Sequence, residues 1–236
     1  MSLILHQLTA RSIANIYLTW LFRLSKRLSR QGLYEWLSNE FNIIEKNSNV
    51  LSIGAGGEIN KLLNRYALKN DFRVTSMDID PQRSPDIEGD VCHHSISTEK
   101  YDVILMAEVL EHLHSPPLGL ANVHKVLKPE GRLLLSTPFI LPIHDAPYDY
   151  FRFTKYGLAL LLKEYREVNI SARNNYFEAI DVLWARLLQT NARGSVILCS
   201  VLLPLLFIFK RPLTKIFGRL VNTETMTTGY VVCAYK

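Results

Sequence analysis

The sequence predicts an α/β fold with a mostly parallel sheet flanked by helices. Two observations carry that expectation. Short apolar runs at residues 50–53, 73–77, 102–107 and 131–136 alternate with stretches of helical periodicity, the pattern of strands joined by helical crossovers. The first run ends in Gly54-Ala55-Gly56-Gly57 and the second in Asp78-Ile79-Asp80. A glycine turn and an acid about twenty residues later, on consecutive strand ends, are the layout of a nucleotide-type cofactor site.

Residues 1 to about 46 read as helix, because Ile13, Ile16, Tyr17, Trp20, Leu21, Leu24 and Leu28 recur at helical spacing. Arg23, Lys26, Arg27 and Arg30 cluster there, and Gly32 is expected to break the segment before a second helix carrying Leu33, Trp36, Leu37 and Phe41. Residues 50–53 form a buried strand, 58–68 a helix, 73–77 a second strand and 102–107 a third. A helix over 117–127 carries Pro117 at a tolerated early position. A strand over 131–136 follows, then a helix over 154–165 with Thr154 as its cap. Residues 167–172 and 230–235 read as the last strands, and the crossovers are expected to be right-handed. Between them lies an insertion at about 177–228. It holds the apolar run 196–209, with Pro204 inside, Arg193 before it, and Lys210, Arg211, Lys215 and Arg219 after it. The expected organisation is a helical extension over 1–46 and an α/β domain over 47–236, interrupted by that hydrophobic helical insertion.

The 236 residues suffice for one well-buried domain with appendages. A hydrophobic content of 48% and a mean hydropathy of +0.05 are high for a purely soluble enzyme. The net charge of +5 suits nucleic acid, an anionic membrane surface or an acidic substrate. Cys92, Cys199 and Cys233 lack metal-site spacing and read as buried small hydrophobes in a reducing, cytoplasmic setting. His6, Arg11 and Asn15 interrupt the N-terminal apolar stretch, and no cleavage site follows, so no secretory signal is expected. The run 196–209 is shorter than the roughly 20 residues that cross a bilayer. Two readings stay open for it. One is a monotopic anchor at the inner face of a membrane, joined by the basic first helix. The other is a helical lid in which both segments pack on each other.

Glycine at positions 54 and 56 permits left-handed backbone and close ligand approach, and a carboxylate at Asp78 can accept both hydroxyls of a ribose. Across residues 48–163 the chain resembles the class I S-adenosylmethionine-dependent methyltransferases. The resemblance rests on Val50-Leu-Ser-Ile-Gly-Ala-Gly-Gly-Glu, Met77-Asp-Ile-Asp-Pro and Glu88-Gly-Asp. Tyr101-Asp-Val-Ile-Leu-Met-Ala-Glu-Val-Leu-Glu-His-Leu and Val126-Leu-Lys-Pro-Glu-Gly-Arg-Leu-Leu-Leu-Ser-Thr-Pro complete it, in the family's order. It implies a Rossmann-like fold with a seven-stranded sheet. It also implies S-adenosylmethionine held by Gly54, Ala55, Gly56, Asp78, Ile79, Asp90 and Glu108. Ser52 stands where the family usually has an acid that helps order the loop, and Glu58, where a third glycine is frequent, puts a carboxylate near the cofactor. A dinucleotide fingerprint would need glycine where Ile59 stands, which argues against NAD.

Methyl transfer to a hydroxyl needs a positioned nucleophile and a group to take its proton. One candidate source is Glu108-Val-Leu-Glu111-His112, whose acids and imidazole would share a face if helical. Some family members with E-x-x-E-H depend on a metal, including small-RNA ribose methyltransferases and quinone-pathway O-methyltransferases, and many do not. Chemistry without a metal is the favoured expectation, with Glu108 at the cofactor edge and His112 capping or packing. A divalent cation, if bound, would use Glu108, Glu111, His112 and His144. The second source is the loop from Pro138 to Thr154, which resembles one in bacterial methyltransferases of surface-glycan pathways. It offers His144 as general base, and Asp145, Tyr148, Tyr150 and Arg152 as acceptor contacts; a self-packed loop held by an Arg152–Asp149 pair is the alternative. The adjacent His93 and His94 carry no expected role.

The resulting expectation is O-methylation of a glycan or lipid-linked small molecule in the cytoplasm, with His144, His112 and Glu108 doing the acceptor chemistry. Two alternatives stand beside it. Metal-dependent RNA 2′-O-methylation is weakened by the lack of any recognisable RNA-binding or aromatic-basic motif, so a nucleic acid partner is not expected. A non-catalytic, membrane-associated cofactor-binding scaffold is motivated by Ser52 and Glu58. The sequence does not specify an oligomeric state.

Overall fold

Strands β1 (Asn49–Ile53), β2 (Arg73–Asp78), β3 (Ile87–Glu88), β4 (Tyr101–Ala107), β5 (Leu127–Pro138), β6 (Glu167–Ala172) and β7 (Gly229–Tyr235) form one sheet. The order is β3-β2-β1-β4-β5-β7-β6. The structure, a computed structural model, describes residues 2–93, 100–190, 193–221 and 225–236; His94 lies outside them. β1 pairs in parallel with β2 and β4, β2 with β3, and β4 with β5. β7 runs antiparallel between β5 and β6. The chain reverses its direction of travel between β1 and β4, so ligands are expected at the carboxyl ends of those two strands.

Alternation along each strand builds two cores. Leu51, Ile53, Ile104, Met106, Leu133, Leu135 and Val232 face one side, and Val50, Val103, Leu105, Leu134 and Val231 the other, as a strand period of two requires. Helices α2 (Gly57–Asn70), α3 (Pro116–Val126) and α4 (Lys155–Leu161) belong to this unit. Thr154 caps α4 by accepting from the Gly157 amide. β5 holds an excursion: Tyr101 pairs with Leu127 but Val103 with Arg132. The extra residues turn at Glu130, with φ +63°, and at Gly131, where an added Cβ would lie 2.8 Å from the Lys128 carbonyl. β3 is only two residues long, which is why periodicity alone does not reveal it.

The first helix, α1 (Ser2–Asn42), runs through Gly32 without the expected break. A helical glycine costs about 1 kcal/mol. The residues beyond it, Leu33, Leu37 and Phe41, recur every four positions and are buried against Val50, Leu63 and Val103. That burial outweighs the glycine penalty. The chain divides into two compact units, one formed by residues 1–32 and 174–227, the other by 33–173 and 228–236. The α/β unit therefore takes in residues 33–46, which the sequence reading assigned to the extension.

In the first unit, α5 (Tyr176–Arg186), α6 (Arg193–Leu205) and α7 (Arg211–Leu220) accompany the early part of α1. Leu21, Ala185, Leu188, Cys199 and Leu203 form its core. Ser25 Oγ donates to the Ala185 carbonyl at 2.7 Å, and Tyr17 donates to Ser200 O at 2.6 Å. Pro204 lies inside α6, and a π-helical turn over Leu206–Lys210 follows it. A proline lacks the N–H that α-helical bonding requires, and such a widened turn is a common accommodation. No described helix is long and apolar enough to cross a membrane.

In the α/β unit, Arg132 on β5 donates to Glu40 Oε2 at 2.6 Å and to the Glu40 carbonyl at 3.1 Å, with both side chains largely buried. Arg132→Ala would strand the Glu40 carboxylate and is expected to cost ~3–5 kcal/mol. The pair replacement Arg132→Met with Glu40→Leu is expected to cost far less. Urea denaturation of the two variants checks this.

Candidate functional site

The glycine turn leaves β1 with left-handed backbone at three residues: Gly54 (φ +87°), Gly56 (+96°) and Gly57 (+69°). Gly54 donates to the Met77 carbonyl at 2.8 Å. A Cβ there would lie 2.5 Å from Val109 Cγ2, so both backbone angle and packing demand glycine. Gly56 precedes α2 and contributes no side-chain cap to its first turn. Asp78 ends β2 as a buried carboxylate. Its Oδ1 accepts from the Asp80 amide at 2.9 Å, and its Oδ2 faces Arg83 Nη1 at 3.2 Å. Arg83 also donates to the Ala55 carbonyl at 3.1 Å, bridging the turn and the acid. Ile79, next to Asp78, is exposed at the rim.

The two departures from the family pattern have local partners. Ser52 Oγ donates to Asn60 Oδ1 at 2.6 Å and ties β1 to α2. Glu58 pairs with Lys61 at 2.9 Å, both largely exposed on α2. After β3, the Gly89 amide donates to the Asp78 carbonyl at 2.9 Å. Asp90 accepts from the Cys92 amide at 2.8 Å and faces His93 Nδ1 at 3.2 Å and His114 Nδ1 at 3.7 Å. Burial pulls the Asp90 carboxyl upward, but the Cys92 amide and His93 outweigh it and hold it below its ordinary value. The Gly54 turn, Asp78, Asp90 and Glu108 thus all sit at the carboxyl ends of β1 to β4.

The segment from Glu108 to His112 is not the helix that the spacing suggested. Glu108 has φ +57° and donates its amide to the Ser136 carbonyl at 2.9 Å; only Leu110–His112 makes a short 3-10 turn. The two acids consequently diverge. The Glu108 carboxylate accepts from Ser136 Oγ at 3.0 Å and from both terminal nitrogens of Arg173. Burial raises its pKa, but the Arg173 charge and hydrogen bonds prevail, so the carboxyl stays below its ordinary value. Glu111 is 0% exposed. Its Oε2 accepts from Thr137 Oγ1 at 3.2 Å, while Oε1 has no hydrogen-bond partner. Burial, followed by the Glu108 charge, pushes its carboxyl well up.

The loop after β5 brings His144 to that orphaned oxygen. His112 Nδ1 lies 2.8 Å from the Tyr148 carbonyl, an acceptor only, so this nitrogen carries the proton. Asp149, with its side chain buried, accepts from the His144 amide at 2.9 Å and faces His144 Nδ1 at 3.2 Å. Arg152 holds Asp149 by two hydrogen bonds, one of 2.6 Å, and keeps that carboxyl far below the usual range. The Nε2 atoms of both imidazoles face Glu111 Oε1, at 3.8 Å and 3.9 Å. The two rings meet edge to face at 5.1 Å.

Of the acceptor contacts read from sequence, Asp145, Tyr148 and Tyr150 are exposed on this loop. Arg152 instead takes part in the Asp149 pair, the self-packed arrangement named as the alternative. The candidate cation ligands are Glu111, His112 and His144, all within 4.8 Å of one another. Glu108 is not among them, because Arg173 holds it. Two imidazole Nε2 atoms and one unpaired carboxyl oxygen can take a proton from a hydroxyl or grip a divalent cation. Asp90, Cys92 and His114 also lie near one another. There, however, burial raises the Cys92 thiol, and its sulfur donates to the Ser115 carbonyl. Sequence reasoning missed Arg83, Arg173 and the contact of Asp149 with His144; it named Asp149 only as the partner of Arg152 in the self-packed loop.

Because the Glu111 pKa is raised on folding, the folded state keeps a proton that the unfolded chain releases above the ordinary value of 4.5. Stability is therefore lost as pH rises above that value. Glu111→Gln is expected to raise the melting temperature by a few degrees at pH near 7.5, in chelator, and to change it little near pH 4. Thermal melts at the two pH values check the sign.

A sequence-family profile described as a methyltransferase domain matches residues 23–190. A probable polyketide synthase of Dictyostelium discoideum is 28% identical over 171 aligned positions, covering 59% of this chain. The chain spans only 7% of that relative's length. Among solved structures, Haemonchus contortus phosphoethanolamine N-methyltransferase 2, in complex with S-adenosylmethionine, superposes with a TM-score of 0.56 at 12% identity, over 88% of this chain and 52% of that one. A SAM-dependent methyltransferase from Archaeoglobus fulgidus gives 0.55 at 13% identity, over 88% of this chain and 95% of that one. At these identities the structural likeness is one of fold. The profile covers more than half of the chain, and on that ground the protein belongs to the methyltransferase-domain family, built on the class I fold.

Proposed function

We propose that this protein transfers a methyl group from S-adenosylmethionine to an oxygen of a glycan or lipid-linked small molecule. The observation that carries the acceptor chemistry is the pair of Nε2 atoms on His112 and His144 that converge on Glu111 Oε1, with Asp149 behind His144. A hydroxyl placed against that pair loses its proton to His144 Nε2, while Asp149 fixes the ring and stabilises the imidazolium that forms. Exposed Tyr148 and Tyr150 offer faces on which a sugar ring can rest. The cofactor fits the other end of the edge. Three left-handed glycines let a ligand approach the backbone, and the Asp78 carboxylate is set to accept ribose hydroxyls. When bound, S-adenosylmethionine supplies a methyl group already activated on a sulfonium. Gly54, Ala55, Gly56 and Asp78 would hold it, with Ile79, Asp90 and Glu108 at its margins.

A cation-assisted version of the same reaction is favoured by one observation, the unpartnered buried Oε1 of Glu111 between two imidazole nitrogens. There Glu111, His112 and His144 would hold a divalent ion that lowers the acceptor hydroxyl's pKa. A cytoplasmic location accords with three free, buried cysteines.

Calorimetry with S-adenosylmethionine tests the cofactor assignment. Asp78→Ala is expected to weaken binding by roughly 10- to 100-fold, the loss of a charged hydrogen-bond acceptor. Absence of binding by the native protein would sink both enzymatic readings. His144→Ala is expected to leave that affinity unchanged and to lower kcat by ~10²–10⁴-fold in radiolabelled methyl transfer to saccharide and lipid-linked acceptors. Activity abolished by chelator and restored by magnesium or manganese would select the cation-assisted version.

A further inference from the structure

The unit of residues 1–32 and 174–227 is turned inside out along α7. Thr214 is 2% exposed and donates to the buried Asp181 carboxylate, which Lys210 also engages. Gly218 packs so closely that an added Cβ would lie 2.4 Å from Asn175 Nδ2. Among the described residues of α7, Thr214 and Gly218 are thus the ones most closely packed, with Phe217 half-exposed beside Phe177 at 5.8 Å. Leu213, Ile216 and Leu220 stand in solvent, with Leu220 73% exposed. Their spacing of three and four residues puts them on one ridge. A surface helix of a globular protein shows the opposite arrangement, with its apolar stripe inward.

The inversion continues next door. On α6, Cys199 and Leu203 are buried, whereas Ile197, Val201 and Leu205 recur every four residues and are exposed. Ile208 and Phe209 of the π turn are exposed as well. Tyr17 and Trp20 of α1 stack at 6.0 Å and are likewise exposed; amphipathic rings of this kind settle at a lipid headgroup boundary.

We propose that this unit docks on an anionic lipid surface through the outward apolar ridge of α6 and α7. Charge selects that occupant. The unit's sequence carries eleven Lys and Arg against three Asp and Glu, a formal +8, whereas the rest of the chain has sixteen against nineteen. The whole cationic excess therefore belongs to the unit with the apolar ridge. Apposing a second copy would set +8 against +8, while a leaflet of acidic headgroups neutralises it. With no described helix able to cross a bilayer, the unit lies on the surface as an interfacial element. The inference does not depend on the methyl-transfer reading, and it names the surface on which a lipid-linked acceptor would be met.

The test is flotation of the full chain with vesicles of phosphatidylcholine alone and of phosphatidylcholine mixed with phosphatidylglycerol. The native protein is expected to float with the mixed vesicles, and at least ~tenfold less with phosphatidylcholine alone or in high salt. The triple variant Leu213→Asp, Ile216→Asp, Leu220→Asp is expected to lose flotation while keeping its far-ultraviolet helix signal and its affinity for S-adenosylmethionine. Ile216→Asp alone, a milder change, is expected to weaken flotation measurably. Native protein that stays unbound at low salt, or variants that float undiminished, would overturn the proposal. A stable dimer that the Asp variants convert to monomer would overturn it too.

Discussion

A buried cation organises the carboxyl edge of the sheet. Arg173 follows β6 and passes its guanidinium over β7, where an added Cβ at Gly229 would lie 2.7 Å from it. It meets Glu108 at the end of β4 beside Ser136 of β5. Four adjacent strands thus contribute to one ion pair, and the consequences run outward from it. Because Arg173 holds Glu108 ionised, Glu111 lies buried near a fixed negative charge and retains its proton to higher pH. Two carboxyl groups three residues apart are driven in opposite directions by their surroundings, the usual way that one site acquires separate acid and base roles.

The same edge is divided along its length. At β1 and β2 the chain supplies left-handed backbone and a buried acid, features suited to holding a ligand without reacting with it. Beyond β4 and β5 it supplies two imidazoles, His112 held at Nδ1 by the Tyr148 carbonyl and His144 with its Nδ1 beside Asp149, and both Nε2 atoms face Glu111. Arg152 matters in this second region by keeping Asp149 charged, and Asp149 matters by orienting His144. Arg83 couples the two ends of the first region, since it touches both the glycine turn and Asp78. A bound ribose would compete with it for the same carboxylate.

Much of this was legible in the chain. The alternation of Leu133, Leu134 and Leu135 between two cores follows from strand geometry, and the glycines at 54 and 56 announced a turn with left-handed backbone. What local patterns could not reveal was long-range choice. Spacing put Glu108, Glu111 and His112 on one helical face, but Arg173, 65 residues away, claimed Glu108 and turned it the other way. Gly32 looked like a helix breaker until the burial of Leu33, Leu37 and Phe41 was weighed against it. The run 196–209 announced apolar character but not orientation, because an unbroken apolar run does not say that Cys199 and Leu203 turn inward while Ile197, Val201 and Leu205 face solvent.

The proposed acceptor chemistry rests on the geometry around Glu111: His112 Nδ1 on the Tyr148 carbonyl, His144 Nδ1 3.2 Å from the Asp149 carboxylate, and both Nε2 atoms converging on one carboxyl oxygen. Nitrogen-15 NMR of the histidine side chains reports it directly. In chelator, at a pH where the rings are neutral, both residues are expected to show a protonated Nδ1 and an unprotonated Nε2. Added divalent ion would shift the two Nε2 signals together if the cation-assisted version holds. Protonated Nε2 on either ring in the metal-free protein would contradict the geometry on which the proposed acceptor chemistry rests.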